Sequence, residues 1–252
     1  MAVSTVKKSG KTKTKKASIS KPPSSKKSSP VSMVDAGKFV TVTPAGIAKQ
    51  WALDVADLEA LLTSASSSGA GLDERSLLAW FGVSVERIAL LAYSVFGFVP
   101  DAVAREMTLA TFRADFAWVR RAKGPIQAST VCFVEFEAAL PKTLFEKKKR
   151  NAPYFGNSFL QGFSQLVDWC TFGMVEAEQN FAVAQALNGA SSKRTDLRYL
   201  LVAGLDDFLN ENTRNRLNWW STNITLGRGT DFKTYSAIVD TLKDRLETNS
   251  LI

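Results

Sequence analysis

The stretch TVCFVEFE, Thr130–Glu137, decides how this chain is read. Val131, Phe133, Val134 and Phe136 favour a β-strand, and in a strand successive side chains alternate between faces. Val131, Phe133, Glu135 and Glu137 then share one face, while Cys132, Val134 and Phe136 share the other. With Cβ atoms about 6–7 Å apart, two ionised carboxylates repel by roughly 2–3 kcal/mol at an effective dielectric near 20. A strand this apolar is expected to be central and poorly hydrated, so the pair needs compensation. Solvent at the strand's end or a neighbouring Lys or Arg would provide it. A bound divalent cation, which prefers carboxylate oxygens, would provide it equally.

Outward from this strand, the sequence predicts two more before it, at 106–109 and 111–119, a long helix after it at 157–179, and a returning strand, LRYLLVAG, Leu197–Gly204. Helix, strand and helix at 211–220, 222–226 and 232–248 complete the pattern, which is an α/β sandwich on a mixed sheet. Upstream, residues 39–100 read as a helical region. Thr43 is expected to cap a helix whose first residue is Pro44, with Ile47, Trp51, Val55, Leu58 and Leu62 as its apolar stripe.

Residues 1–38 form a lysine-rich tail. Residues 1–34 hold nine lysines, no acid and a Ser/Thr/Pro background, a composition expected to be disordered. Without those nine charges the remainder has 23 cations against 24 acids, so the +8 net charge resides in the tail. The tail suits nonspecific attraction to phosphate backbones, an import signal in a nucleated host, or simple solubilisation. Its Gly-Lys-Thr at 10–12 has Thr5 where a phosphate-binding loop requires glycine, so it is not read as one. No secretory leader and no apolar run of 18 residues is apparent, which predicts a soluble, cytoplasmic protein with no membrane contact.

The chain contains no histidine, which excludes histidine-based general-base and triad catalysis as well as His-ligated zinc. Two cysteines, Cys132 and Cys170, are too few for a thiolate zinc site and fit a reducing compartment. Any catalysis rests on carboxylates, lysines and hard metals.

Asp115 lies in FRADFAWVRR about 20 residues before Glu135, a hairpin's distance, so an adjacent antiparallel strand can bring it beside the two glutamates. In the long helix Phe159, Phe163, Leu166 and Cys170 are expected to face the sheet, with Gln161, Gln165, Trp169 and Phe172 along a second face. Taken singly, Asp115 reads as a solvated strand residue and Gln165 as a surface amide. Together, Asp115, Glu135-x-Glu137 and a helix bearing Gln165-x-x-x-Trp169 are similar to the PD-(D/E)XK nuclease core and to its branch with a Gln-x-x-x-Tyr helix.

Glu74 with RSLLAWF, then Glu106, ADFAWV, FVEFEAALPKTLF, FSQLVDW, LLVAG, TRNRLNWW and TYSAIVDTL resemble, in this order and over about Leu72–Leu246, the Shedu anti-phage nuclease domain. The resemblance implies a restriction-endonuclease-like mixed sheet flanked by helices over 101–252, following the N-terminal helical region. It also implies a metal-dependent DNA nuclease of an anti-phage defence system, acting as a homo-oligomer. By position, Asp115, Glu135 and Glu137 would ligate Mg²⁺ or Mn²⁺, and Gln165 would orient substrate or a ligand water. The usual motif has Lys where Glu137 stands; Lys142, in PKTLFEKKKR, could replace it, or no residue does. Lys147 to Arg150 read either as a solvated loop or as a grip on phosphate. The competing expectations are a catalytically silent module that binds nucleic acid or senses phage on the same scaffold, and an assembly protein whose tail packages nucleic acid.

Overall fold

The computed structural model describes residues 37–109, 111–124, 126–147, 152–173, 195–226 and 229–250, which belong to one compact unit. The lysine tail to residue 36, Lys148–Arg150 and the 174–179 part of the expected helix lie outside the described residues.

Chain order begins with a short strand β1 (Val40–Thr41) and three helices, α1 (Ile47–Ser67), α2 (Glu74–Phe81) and α3 (Val85–Phe96). Strands β2 (Ala102–Leu109), β3 (Phe112–Arg120) and β4 (Ser129–Phe136) follow. A small hairpin of β5 (Phe145–Glu146) and β6 (Tyr154–Phe155) leads into α4 (Asn157–Asp168), which ends in a π turn over Trp169–Gly173. Strand β7 (Thr195–Val202), helix α5 (Glu211–Asn223), strand β8 (Thr230–Lys233) and helix α6 (Tyr235–Ser250) close the fold.

Six strands make one mixed sheet in the order β1-β2-β3-β4-β7-β8. The first four pair antiparallel; β7 joins β4, and β8 joins β7, in parallel. A parallel neighbour needs a crossover, and α4 lies in the one that links β4 to β7. The alternation read in β4 holds. Cys132, Val134 and Phe136 enter a core shared with α1, α2, α3 and α6, whereas Val131 and Phe133 enter a second core with Phe159, Leu166 and Trp169 of the α4 region and Leu217 of α5. The helical segment upstream of residue 100 thus packs into the core on one face of the sheet.

Local chemistry sets the helix starts. Asp73 accepts from the Ser76 amide (2.7 Å) and Ser84 from the Arg87 amide (3.2 Å), satisfying donors that the first turn leaves unpaired. Several boundaries differ from the sequence reading. Helix α1 starts at Ile47 rather than Pro44, because Pro44 accepts from the Ile47 amide in a preceding turn and Gly46 is left-handed (φ 75°). Val40–Thr41, in the region read as helical, adds an edge strand to the sheet. Residues 222–226 are not a strand: α5 runs through Asn223, and the strand that pairs with β7 is Thr230–Lys233. Trp169 lies in the core with Phe159 and Leu166 rather than along a second face with Gln161 and Gln165, since Phe159, Gly162, Leu166 and Trp169 together follow the helical period.

No single helix among the described residues is long and apolar enough to cross a membrane.

Candidate functional site

The β3–β4 register pairs Phe116 with Val134, which puts Asp115 across from Glu135, as the hairpin spacing predicts. Asp115 does not extend the ladder with its backbone. Its Oδ2 accepts from the Phe136 amide (2.8 Å), so the carboxylate takes a position in the sheet's hydrogen-bonding line. The side chains of β2 and β3 also change faces here. Ala104 and Ala114 point into the same core as Met107, Leu109, Ala117 and Val119, so the two-residue alternation is broken at Glu106 and Asp115, which are in register. Glu106 is left-handed (φ 49°), the one described non-glycine residue so placed, and it lies at the point where the alternation breaks.

Glu135 is buried and is the last but one residue of β4. Glu137 is also buried, just beyond the strand, and its backbone is held from both sides: its amide donates to Val202 O (2.9 Å), and its carbonyl accepts from the Tyr235 hydroxyl (2.9 Å). Helix α4 faces both acids. The Gln165 side chain favours the ionised form of Glu135, and the Gly162 backbone amide favours that of Glu137.

Glu74 completes the group. It is the first residue of α2, and the segment before it is bound to the chain after Glu137 by reciprocal bonds between Leu72 and Ala139 (3.2 and 2.8 Å). Gly71 permits that approach, since a Cβ there would stand 2.3 Å from Ala139 O. The start of α2 is thereby fixed beside the end of β4, and Glu74 acts electrostatically on Asp115, Glu135 and Glu137. In the sequence Glu74 is part of the Shedu resemblance and carries no role of its own. An acid in a helix's first turn is ordinarily explained by the helix dipole, so the local pattern carries no other signal.

Burial and mutual repulsion dominate the electrostatics. Desolvation raises all of these carboxyl pKa values, Glu135 most strongly, and each neighbouring acid raises them further; Glu137 is pushed up to about 8. Arg113, two-thirds exposed, is the cation that acts on Asp115, whereas the charges acting on Glu135 and Glu137 are acidic. Lys142 is exposed in the turn after β4, and the structure does not bring it into this group of charges.

The donor set is all hard carboxylate oxygen, which suits Mg²⁺ or Mn²⁺, and Glu135 Oε2 is buried with no hydrogen-bond partner. Asp115, Glu135, Glu137 and Glu74 are therefore the residues that could hold such an ion. Among the described residues no three acidic or cysteine side chains stand ready to enclose one, so binding requires their carboxylates to rotate inward.

A mixed six-stranded sheet with helices on both faces and an acidic group at the end of its central strand defines an α/β protein with a candidate cation site. The chain matches the family described as Shedu protein SduA, C-terminal, over residues 75–236. It belongs to that family. No individually curated protein matches the chain.

Proposed function

We propose that this chain is a divalent-metal-dependent DNA nuclease of the PD-(D/E)XK type, acting in anti-phage defence. The observation that carries the reading is the grouping of Asp115, Glu135, Glu137 and Glu74: Glu135 and Glu137 are buried, Asp115 is half-buried and Glu74 is exposed, the charges acting on the two glutamates among the described residues are acidic, and Glu135 Oε2 has no hydrogen-bond partner. Burying like charges is unfavourable unless something neutralises them. A bound Mg²⁺ or Mn²⁺ would supply that neutralisation, polarise a phosphoryl oxygen and lower the pKa of a ligand water.

The chain's own residues set the geometry. The Phe136 amide orients Asp115, Gln165 orients Glu135, and the Val202 carbonyl and Tyr235 hydroxyl fix the backbone that carries Glu137. Acids kept protonated by burial give up their protons when the ion enters, so ion affinity rises with pH. Membership in the Shedu family and the order of motifs support DNA as substrate, a homo-oligomer as the working form and the cytoplasm as its location.

A second reading is a catalytically silent module that binds nucleic acid or senses phage on the same scaffold. The presence of Glu137 where the usual motif has Lys, and the absence of a ready metal trio among the described residues, favour it.

Cleavage of single- and double-stranded DNA with Mg²⁺, with Mn²⁺ and with EDTA separates the two. Nicking or cutting that EDTA abolishes, and that Glu135→Gln removes, is the expected result. Intact DNA with either ion, from protein that still binds it, establishes the silent module. Glu137→Lys sharpens the outcome: it removes an acidic oxygen donor and adds a cation, so activity should collapse. Activity equal to or above the parent's would remove Glu137 from the ligand set.

A further inference from the structure

The structure assigns Gly162 a positioning role: its missing side chain forms the notch in α4 that admits the Glu137 carboxylate to the acidic group. This rests on the proposed cation site. Gly162 is buried in the middle of a 12-residue helix, where glycine is the least favourable residue other than proline. Its backbone is ordinary helix, so no left-handed conformation requires it. Space does. A Cβ at Gly162 would stand 2.7 Å from Leu201 Cδ1, 2.8 Å from Glu137 Cγ and 3.0 Å from Glu137 Oε1, and separations under 3.0 Å oblige something to move. All three are side-chain atoms of flexible residues, so the fold survives while the side chains shift.

Glu137 has little freedom to absorb that shift through its backbone, which Val202 and Tyr235 hold. The displacement therefore falls on the carboxylate. Gly162 and Gln165 are three residues apart and lie on adjacent positions of one helical face, so α4 meets the two acids of the Glu-x-Glu pair with a notch for one and an amide for the other.

The test combines two readouts on the full chain. Leu201→Val, which removes the Leu201 Cδ1 contact, serves as the background. Without metal, Gly162→Ala is expected to lower the melting temperature by a few degrees while Glu137 is present. With Glu137→Ala it is expected to raise it, because helix propensity then acts unopposed. With Mn²⁺ titrated to millimolar concentration, the unmodified protein should gain melting temperature, and Gly162→Ala should lose most of that gain. Gly162→Ala that stabilises equally with and without Glu137, or that keeps the full Mn²⁺ response, would overturn the assignment. A sign reversal without metal, together with no Mn²⁺ response in the unmodified protein, would uphold the Gly162–Glu137 contact and overturn the cation site beneath it.

Discussion

Asp54 and Glu135 are both buried acids, each with one carboxylate oxygen lacking a hydrogen-bond partner, and they differ in the charges that surround them. Asp54, on α1, faces Arg87 of α3: its Oδ1 accepts from Arg87 Nε (2.9 Å) and from Gln50 (3.3 Å). The same guanidinium bonds Asp57 Oδ2 (2.9 Å) and lies 4.1 Å over the Trp80 ring. Glu135 has an amide from Gln165 and three acids for neighbours. Where this protein buries a carboxylate to join helices, it supplies an arginine. Where it buries two at the end of a central strand, no arginine among the described residues pairs with them. That difference separates a structural acid from one kept for a ligand, and it makes the effects of substitution opposite in sign.

The largest expected effect follows directly. Asp54→Ala leaves Arg87 with Asp57 as its remaining counter-charge and removes a buried charge-assisted hydrogen bond, so it should destabilise the protein by about 2–3 kcal/mol. Glu135→Gln replaces a carboxyl that burial already keeps protonated, so its stability without metal should stay within about 1 kcal/mol of the parent. Its cost appears in function: cleavage should fall about 100-fold or more. Urea unfolding of both variants, with DNA cleavage by the second, checks the pair. Equal destabilisation by the two substitutions would erase the distinction.

Acidity gives the next effect. Glu137 has a folded pKa of about 8 against an ordinary 4.5, so between these values the native state holds more protons than the unfolded chain. Stability then falls as pH rises. At about 1.4 kcal/mol per unit, Glu137 alone should cost the metal-free protein roughly 2–3 kcal/mol between pH 5.5 and 8, and Glu135, raised further, adds to the same slope. Glu137→Gln should remove its share of that slope, and saturating Mn²⁺ should offset it. Denaturant midpoints across the pH range measure it; a parent whose stability rises with pH would show that Glu137 is ionised in the fold.

A smaller effect concerns the backbone that carries the acids. Tyr235 is wholly buried, and Tyr235→Phe deletes the hydroxyl that reaches the Glu137 carbonyl, leaving that acceptor short of a partner. A loss of about 1–1.5 kcal/mol is expected, with a weaker Mn²⁺ response.

What the sequence made legible was whatever repeats with a fixed period. Alternation in Thr130–Glu137 put Glu135 and Glu137 on one face, and the distance to Asp115 implied the hairpin that brings it opposite Glu135. Gln165 was legible because a helix of known phase carries it. Glu74 was not, because its place depends on Leu72 pairing with Ala139 across 67 residues of chain. Gly162 was not, because a helical glycine has no pattern until its neighbour across the interface is known. The strand expected at 222–226 failed because Thr222 and Asn223 continue α5, where their side chains bond carbonyls four residues back, Thr222 to Asn218 and Asn223 to Trp219. The break in alternation at Glu106 and Asp115 leaves no mark in composition at all.

That break supports the smallest prediction. Glu106 holds φ at 49°, which costs an L-residue about 1–2 kcal/mol, and its ion pairs with Arg105 (3.7 Å) and Arg113 (3.8 Å) are long and partly exposed, worth at most about 0.5 kcal/mol. Glycine relieves the backbone but loses more entropy on folding, about 0.5–1 kcal/mol. Glu106→Gly should therefore leave stability unchanged or raise it by less than about 1 kcal/mol, with the Mn²⁺ response retained. Glu106→Val is the counterpart, because a β-branched side chain resists positive φ. It should lower stability by about 1–3 kcal/mol. By pulling β2 back toward regular alternation it should also turn Asp115 away from the Phe136 amide and weaken the Mn²⁺ response. If glycine and valine behaved alike in both readouts, the left-handed residue would be incidental, and the position of Asp115 would rest on its bond to Phe136 alone.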